Sequence, residues 1–135
     1  MLHAEGDETG RRSILVKLVF CCRRKKEMTL EEFHERWLEV HGPLVRRLRK
    51  DLPMMQRYVQ SHLLPGPATS GLQASRGSAE PYDGITEVWF DSLESVGGFG
   101  EQAALEAGRK LLEDEAKFLD LPRCSVFMTE EKEIF

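Results

Sequence analysis

The stretch "SILVKLVFCCRRKKEMTLEEFHERWLEVHGPL", residues 13–44, holds a complete strand–turn–helix unit and decides how the rest of the chain is read. Its first ten residues are rich in Ile, Val, Leu and Phe, which predicts a β-strand. "RRKKE" follows as a charged turn. The helix after it carries full start signals: Thr29 and Glu32 have the spacing of a capping box, in which each side chain bonds the other's backbone N–H. Met28 and Phe33 fit the hydrophobic staple around that cap. The apolar line Phe33, Trp37, Val40 or His41, Leu44 and Leu48 has helical spacing. Gly42-Pro43 interrupts it, because proline removes one intrahelical bond and clashes with the preceding turn. The helix is therefore expected to end or kink near His41 and restart with Pro43 in its first turn.

Outward from this unit, residues 54–64, "MMQRYVQSHLL", predict a second strand with Tyr58, Gln60 and His62 on one side. Residues 65–81 are rich in Gly, Pro, Ser and Ala and predict a flexible loop without regular structure. "YDGITEVWFD" predicts a third strand entered through Asp83-Gly84. Residues 92–121 read as helical with a break at Gly97-Gly98, the second half carrying Leu105, Leu112, Phe118 and Leu119. "PRCSVFMTEE" predicts a closing strand. Residues 1–12 are polar and expected to be disordered, leaving residues 13–135 as a single domain. The order β-α-β-β-α-β is ferredoxin-like: an α+β fold with a four-stranded antiparallel sheet and helices on one face. The first strand is apolar on both sides apart from Lys17, so its second face needs a cover too. No third layer remains in the chain. A second copy packed sheet to sheet is the economical solution, and a homodimer is expected.

Composition narrows the function. The chain has 135 residues, 41% apolar and 31% charged, with a net charge of −4, which argues against a dedicated nucleic-acid binder. Its basic runs, "RRKK" and "RRLRK", lack the interleaved aromatics of single-strand binders and read as solvated charge. Three cysteines without C-x-x-C spacing point to a reducing compartment, and the neighbouring Cys21 and Cys22 read as small buried hydrophobes. No stretch has the length of a membrane span, and the first residues lack a signal peptide's apolar core, so a cytoplasmic protein is expected. There is no asparagine, hence no N-glycosylation acceptor. "GGFG" lacks the dinucleotide-binding glycine spacing, and neither a P-loop nor G-x-S-x-G occurs.

His34 and His41 lie seven residues apart, about 10 Å along a helix axis, too far to share a zinc ion held at about 2 Å by each imidazole. No metal is expected there. Acid/base chemistry is the alternative. His62, in a row with Tyr58 and Gln60, could donate or abstract a proton if that row faces the helices, and could then meet His41 or Trp37. Should the row face a partner subunit, its work would be the dimer interface instead. His41, at a helix end, could equally serve the helix dipole. His34 reads as an ordinary edge residue, and Trp37 and Trp89 as core or pocket wall.

The segments "VKLVFCCRRKKEMTLEEFHERWLEVHGPLV", "RYVQSHLL", "YDGITEVWFDSLE" and "EDEAKFLD" together resemble the EthD family of the dimeric α/β-barrel superfamily. The resemblance runs from about Leu15 to the fourth strand and keeps the order of every element. It implies a ferredoxin-like protomer paired sheet to sheet. It further implies a small enzyme working without a cofactor on a hydrophobic, aromatic or polyketide-like substrate, by decarboxylation, dehydration or isomerisation. Wider superfamily members include lactone isomerases and cofactor-free monooxygenases, so an oxidoreductase is the enzyme alternative. Other family members accompany oxidative degradation systems, which admits a non-catalytic ligand-binding dimer. By position the family-like histidines are His41 of "EVHGPL" and His62 of "YVQSHL", with Asp83, Glu87 and Asp114 as acidic candidates. On this reading His62, His41 and Tyr58 are the expected catalytic groups. Trp37, Phe33, Trp89, Gln60, Asp83 and Glu87 are the expected substrate-binding groups.

Overall fold

A computed structural model describes residues 16–96 and 101–135. The expectations at residues 1–12 and at Gly97-Gly98 lie outside the described residues. Strand β1 (Val16–Cys22) leads to helix α1 (Leu30–Arg36), whose N-terminus carries the expected capping box: Thr29 Oγ1 accepts the Glu32 N–H at 3.1 Å, and Glu32 Oε1 accepts the Thr29 N–H at 2.8 Å. Such a cap contributes about 1 kcal/mol.

At the Gly-Pro break the helix widens rather than ends. Trp37–His41 form a π-helical turn in which the Gly42 N–H bonds the Trp37 carbonyl five residues back, and α2 (Gly42–Leu48) continues with Pro43 in its first turn. Pro43 has no N–H to give and its ring crowds the turn before it. Adding a residue to that turn removes the conflict without breaking the rod.

Strand β2 (Met55–His62) follows, then α3 (Pro67–Arg76). This helix stands where the composition predicted an irregular connection. Pro67 opens it after Gly66, and Gly77, at φ 57°, closes it in the left-handed conformation. The Gly and Pro residues thus punctuate a helix instead of preventing one. Strand β3 (Gly84–Phe90), a short α4 (Leu93–Val96), the long α5 (Gln102–Phe118) and β4 (Ser125–Glu130) complete the chain.

The strands form one antiparallel sheet in the order β2-β3-β1-β4, the ferredoxin-like arrangement. Its register puts Tyr58, Val88, Leu18 and Met128 in one cross-strand row and Gln60, Thr86, Phe20 and Val126 in the next, both beneath the helices. A third row pairs His62 with Gly84 and Gly84 with Cys22. The opposite face carries Val59, Glu87, Val19 and Phe127 in one row and Arg57, Trp89, Lys17 and Thr129 in another.

Phe33, Trp37, Phe118 and Cys22 form the densest part of the core, where α1 and α5 meet the sheet. Burying each aromatic there contributes about 2–3 kcal/mol. Gly84 is what lets Trp37 settle so low. A Cβ at that position would stand 2.4 Å from Trp37 Cζ3 and 2.7 Å from the Ser61 carbonyl oxygen. On α5 the buried stripe is Ala104, Ala107, Asp114 and Phe118, whereas Leu105 and Leu112 are largely exposed.

Candidate active site

Between the sheet and the helices lies a cavity of about 370 Å³, floored by Leu18, Thr86, Val88 and Tyr58. Trp37 and His41 reach it from the π-helical turn, and Glu115 and Phe118 from α5. Its walls are mostly apolar, with four polar exceptions: His41, Glu115, Tyr58 and Thr86. A concave apolar space with a few convergent polar groups is the usual form of a small-molecule site.

His41 is only 3% exposed. Its Nδ1 lies 2.8 Å from Asp114 Oδ2, and its ring packs on Phe118 at 5.2 Å between centroids. Asp114 is held in turn by Arg36, whose Nη2 donates to Oδ1 at 2.7 Å and whose Nη1 donates to Oδ2 at 3.2 Å. An ionised carboxylate can only accept, so the Nδ1 proton belongs to His41 and Nε2 keeps its lone pair. That Nε2 stands 3.9 Å from Glu115 Oε2.

The charges sort accordingly. Burial would raise the Asp114 carboxyl, but the Arg36 and His41 hydrogen bonds and charges outweigh it and hold Asp114 below the ordinary range. Burial pushes His41 below its ordinary value; Asp114 pulls it back only in part, and Arg36 lowers it further. Among the described residues no Lys or Arg pairs with the Glu115 carboxyl. Burial, reinforced by the Asp114 charge, pushes it up to about 7. At neutral pH the site thus pairs an unprotonated imidazole nitrogen with a carboxyl poised between its two forms. Burial also raises the Tyr58 hydroxyl. Gln60 Nε2 donates to the Tyr58 oxygen at 3.4 Å, so that hydroxyl keeps its own proton for donation.

The row Tyr58, Gln60 and His62 does face the helices. Gln60 Nε2 donates to the Trp37 carbonyl at 3.0 Å, and His62 Nε2 donates to Gln60 Oε1 at 2.8 Å. His62, however, does not reach His41's cavity. It stacks on Trp37 at 4.6 Å and 10°, lies 4.5 Å from the His34 ring, and opens on a separate groove of about 600 Å³ beside α2. Burial first, and then the neighbouring His34, lower its pKa. Tyr58 lines both spaces.

The other expected site residues divide by sheet face. Trp37 walls the cavity, while Phe33 is fully buried behind it in the core. Trp89 and Glu87 sit on the far face, because the two-residue strand period sends odd positions of β3 away from the helices. There Trp89 Nε1 donates to Glu131 at 2.8 Å under the cations of Lys17 and Arg57, and Glu87 pairs with Lys17 at 2.8 Å. Asp83 is a strut: its carboxylate takes the Arg24 backbone N–H and guanidinium, and its carbonyl takes the His34 ring N–H at 2.9 Å. His34 is thereby tied to the fold rather than left at an edge. Glu115 escaped the sequence reading, hidden in the acidic run "EDE". Its available signal was spacing, four residues after Leu111 and three before Phe118 on the cavity side of α5.

Among the described residues no group of three or more His, Cys, Asp or Glu side chains could hold a metal ion. Cys22 is buried with its thiol pushed up to about 12, so it packs as a small hydrophobe. No helix among the described residues is long and apolar enough to cross a membrane.

Fold and cavity together define a ferredoxin-like α+β protein with an acid/base-bearing pocket between sheet and helices. Residues 25–122 match the EthD domain model, and the chain belongs to that family. In structure it is similar to an EthD family protein from Bacillus halodurans, at 18% identity and TM-score 0.58, covering 87% of this chain and 99% of that one. A hydroxynitrile lyase from Passiflora edulis superposes at 17% identity and TM-score 0.59, covering 91% and 98%. A dimeric ferredoxin-like protein of unknown function from Thermobifida fusca superposes at 14% identity and TM-score 0.58, covering 97% of both chains. No curated protein sequence matches the chain.

Proposed function

We propose that the protein is a small enzyme that moves protons on a hydrophobic, aromatic or polyketide-like substrate held in the 370 Å³ cavity. The observation that carries this reading is the convergence of His41 Nε2, the Glu115 carboxyl and the Tyr58 hydroxyl on one largely apolar space. His41 Nε2 takes a proton from the carbon beside a substrate carbonyl, with Asp114 stabilising the imidazolium that forms. Tyr58 donates a hydrogen bond to the enolate oxygen. The protonated Glu115 carboxyl returns a proton, either to another carbon in an isomerisation or to a departing hydroxyl in a dehydration. The imidazolium then reprotonates Glu115, which resets both groups. This moves the principal base from His62, where the sequence placed it, to His41. A fold-level likeness to a lyase is consistent with the class of chemistry but says nothing of the substrate.

A homodimer joined through the sheet's open face belongs to the same reading. Val59, Val19 and Phe127 line one row there around Glu87, whose charge is met by Lys17, and Phe127 is 48% exposed. Phe127→Asp should give a monomer in sedimentation, and wild-type protein that is monomeric at micromolar concentration would remove the dimer. For the enzyme itself, aromatic acids and ketones are screened for thermal stabilisation, and the best ligands are followed for deuterium exchange beside the carbonyl. Exchange should be lost in His41→Gln while binding persists, whereas Glu115→Gln should keep exchange and lose conversion to product. Full exchange in His41→Gln would sink the reading.

A further inference from the structure

The groove that His62 opens on is larger than the cavity and differently charged. Arg46 and Arg49, on the exposed side of α2 and just beyond it, and Arg57, on the edge strand β2, all line it. None of the three makes an ion pair with a carboxylate among the described residues, although the groove contains one acid, Glu39. Elsewhere in the described structure the ion-paired arginines, Arg24, Arg36, Arg109 and Arg123, hold carboxylates of the chain itself. Arg57 borders the groove from the edge strand, but its guanidinium lies over Trp89 at 4.8 Å, on the opposite face of the sheet, which leaves Arg46 and Arg49 as the groove's cations. Groove and cavity share Val45, Met55 and Tyr58, so the two spaces meet at that boundary.

We propose that the groove holds the carboxylate of the substrate: an amphiphilic acid whose aromatic body passes Tyr58 into the cavity while its anionic end rests between Arg46 and Arg49. The inference rests on the acid/base reading of the cavity and adds its substrate class. Two unpaired cations beside one small groove repel each other in the empty protein, and an anion relieves that cost. Guanidinium groups match a carboxylate in bidentate fashion, which gives orientation as well as attraction. Because the anion sits in the groove and the proton-transfer groups in the cavity, this carboxylate is a handle and not a leaving group. Isomerisation or dehydration of a tethered acid therefore fits better than loss of that carboxylate.

The test compares 4-(1-naphthyl)butanoate with its primary amide, which keeps the shape and removes the charge, by calorimetry at low salt. Wild-type protein should bind the acid about tenfold more tightly, and the preference should shrink in 0.5 M salt as screening predicts. In Arg46→Gln/Arg49→Gln the preference should fall to near parity with the amide's affinity unchanged. Both substitutions are at exposed positions, so the fold is retained. Equal affinity for acid and amide in the wild type overturns the proposal. So does a preference that survives in the double variant. Leu111→Trp, which fills the cavity, separates the two levels of the argument. Loss of both ligands there places the aromatic body in the cavity; unchanged binding of both removes the cavity reading, and the proposal falls with it.

Discussion

Two histidines stand on either side of Trp37, and their surroundings could hardly differ more. On the cavity side His41 is buried, its Nδ1 is committed to Asp114, and its other nitrogen faces a carboxyl that no Lys or Arg among the described residues neutralises. On the groove side His62 is half-buried, stacked on Trp37, tilted against His34, and hydrogen-bonded to a neutral amide. Both rings lie under the same helix, yet only the first has a carboxylate to support a positive charge. A histidine's usefulness as a base follows from the partner on its far nitrogen more than from its place on a promising strand.

The largest test of this division is the wall itself. Trp37→Ala should cost about 3–5 kcal/mol in denaturant unfolding, since it removes a fully buried indole. Gly84→Ala attacks the same wall from below by driving a methyl group into the indole, and should destabilise the protein severely.

Next in size is the pH dependence from Glu115. Its carboxyl is raised in the folded chain to about 7, so the folded protein holds a proton that the unfolded chain releases near pH 4.5. Stability should therefore fall as pH rises from about 4.5 to about 7 and level off above. Glu115→Gln should flatten that stretch and gain up to about 3 kcal/mol at pH 8. Unfolding measured at pH 5 and pH 8 decides it, and equal differences at both would contradict the assignment.

Asp114→Asn should cost about 1–3 kcal/mol, because a half-buried Arg36 loses its carboxylate. In the same variant the His41 ring should titrate lower still, having lost the group that raises it. NMR titration should show His62 unmoved. The smallest effect is expected from His62→Ala, a loss of about 1 kcal/mol or less with proton exchange on bound ligand intact. If that variant abolished exchange, the roles of the two histidines would have to be reversed.

The βαββαβ order was legible because each element carried its own local signal: strands from β-branched runs, α1 from Thr29 and Glu32. Residues 67–76 misled because Gly and Pro were read as helix breakers, whereas here they occupy the two ends of a helix. Glu115 was hidden because a charge on an acidic helix looks solvated until a cavity is known to lie beneath it. The placement of Glu87 and Trp89 on the far face was illegible for a different reason. Alternation says that neighbouring strand residues part company, but β3 is apolar enough on both faces that composition alone does not tell which set meets the helices.

The buried positions of the long helix run Phe33, Trp37, His41, Val45 and Leu48, with Leu52 buried just past its end. Three steps of four in succession would, in a plain α-helix, overshoot the axis by about 40° each and carry the stripe about 120° around the rod. The wider turn at Trp37–His41 absorbs part of that drift, so Phe33 and Val45 can both point inward. It acts as a phase correction of one residue. Deleting a single residue between Trp37 and Gly42 would restore ordinary winding and rotate everything beyond it relative to α1. The arginines of α2 would then turn with respect to the indole and the imidazole. A protein with its groove and its cavity pointing in unrelated directions could be one codon away.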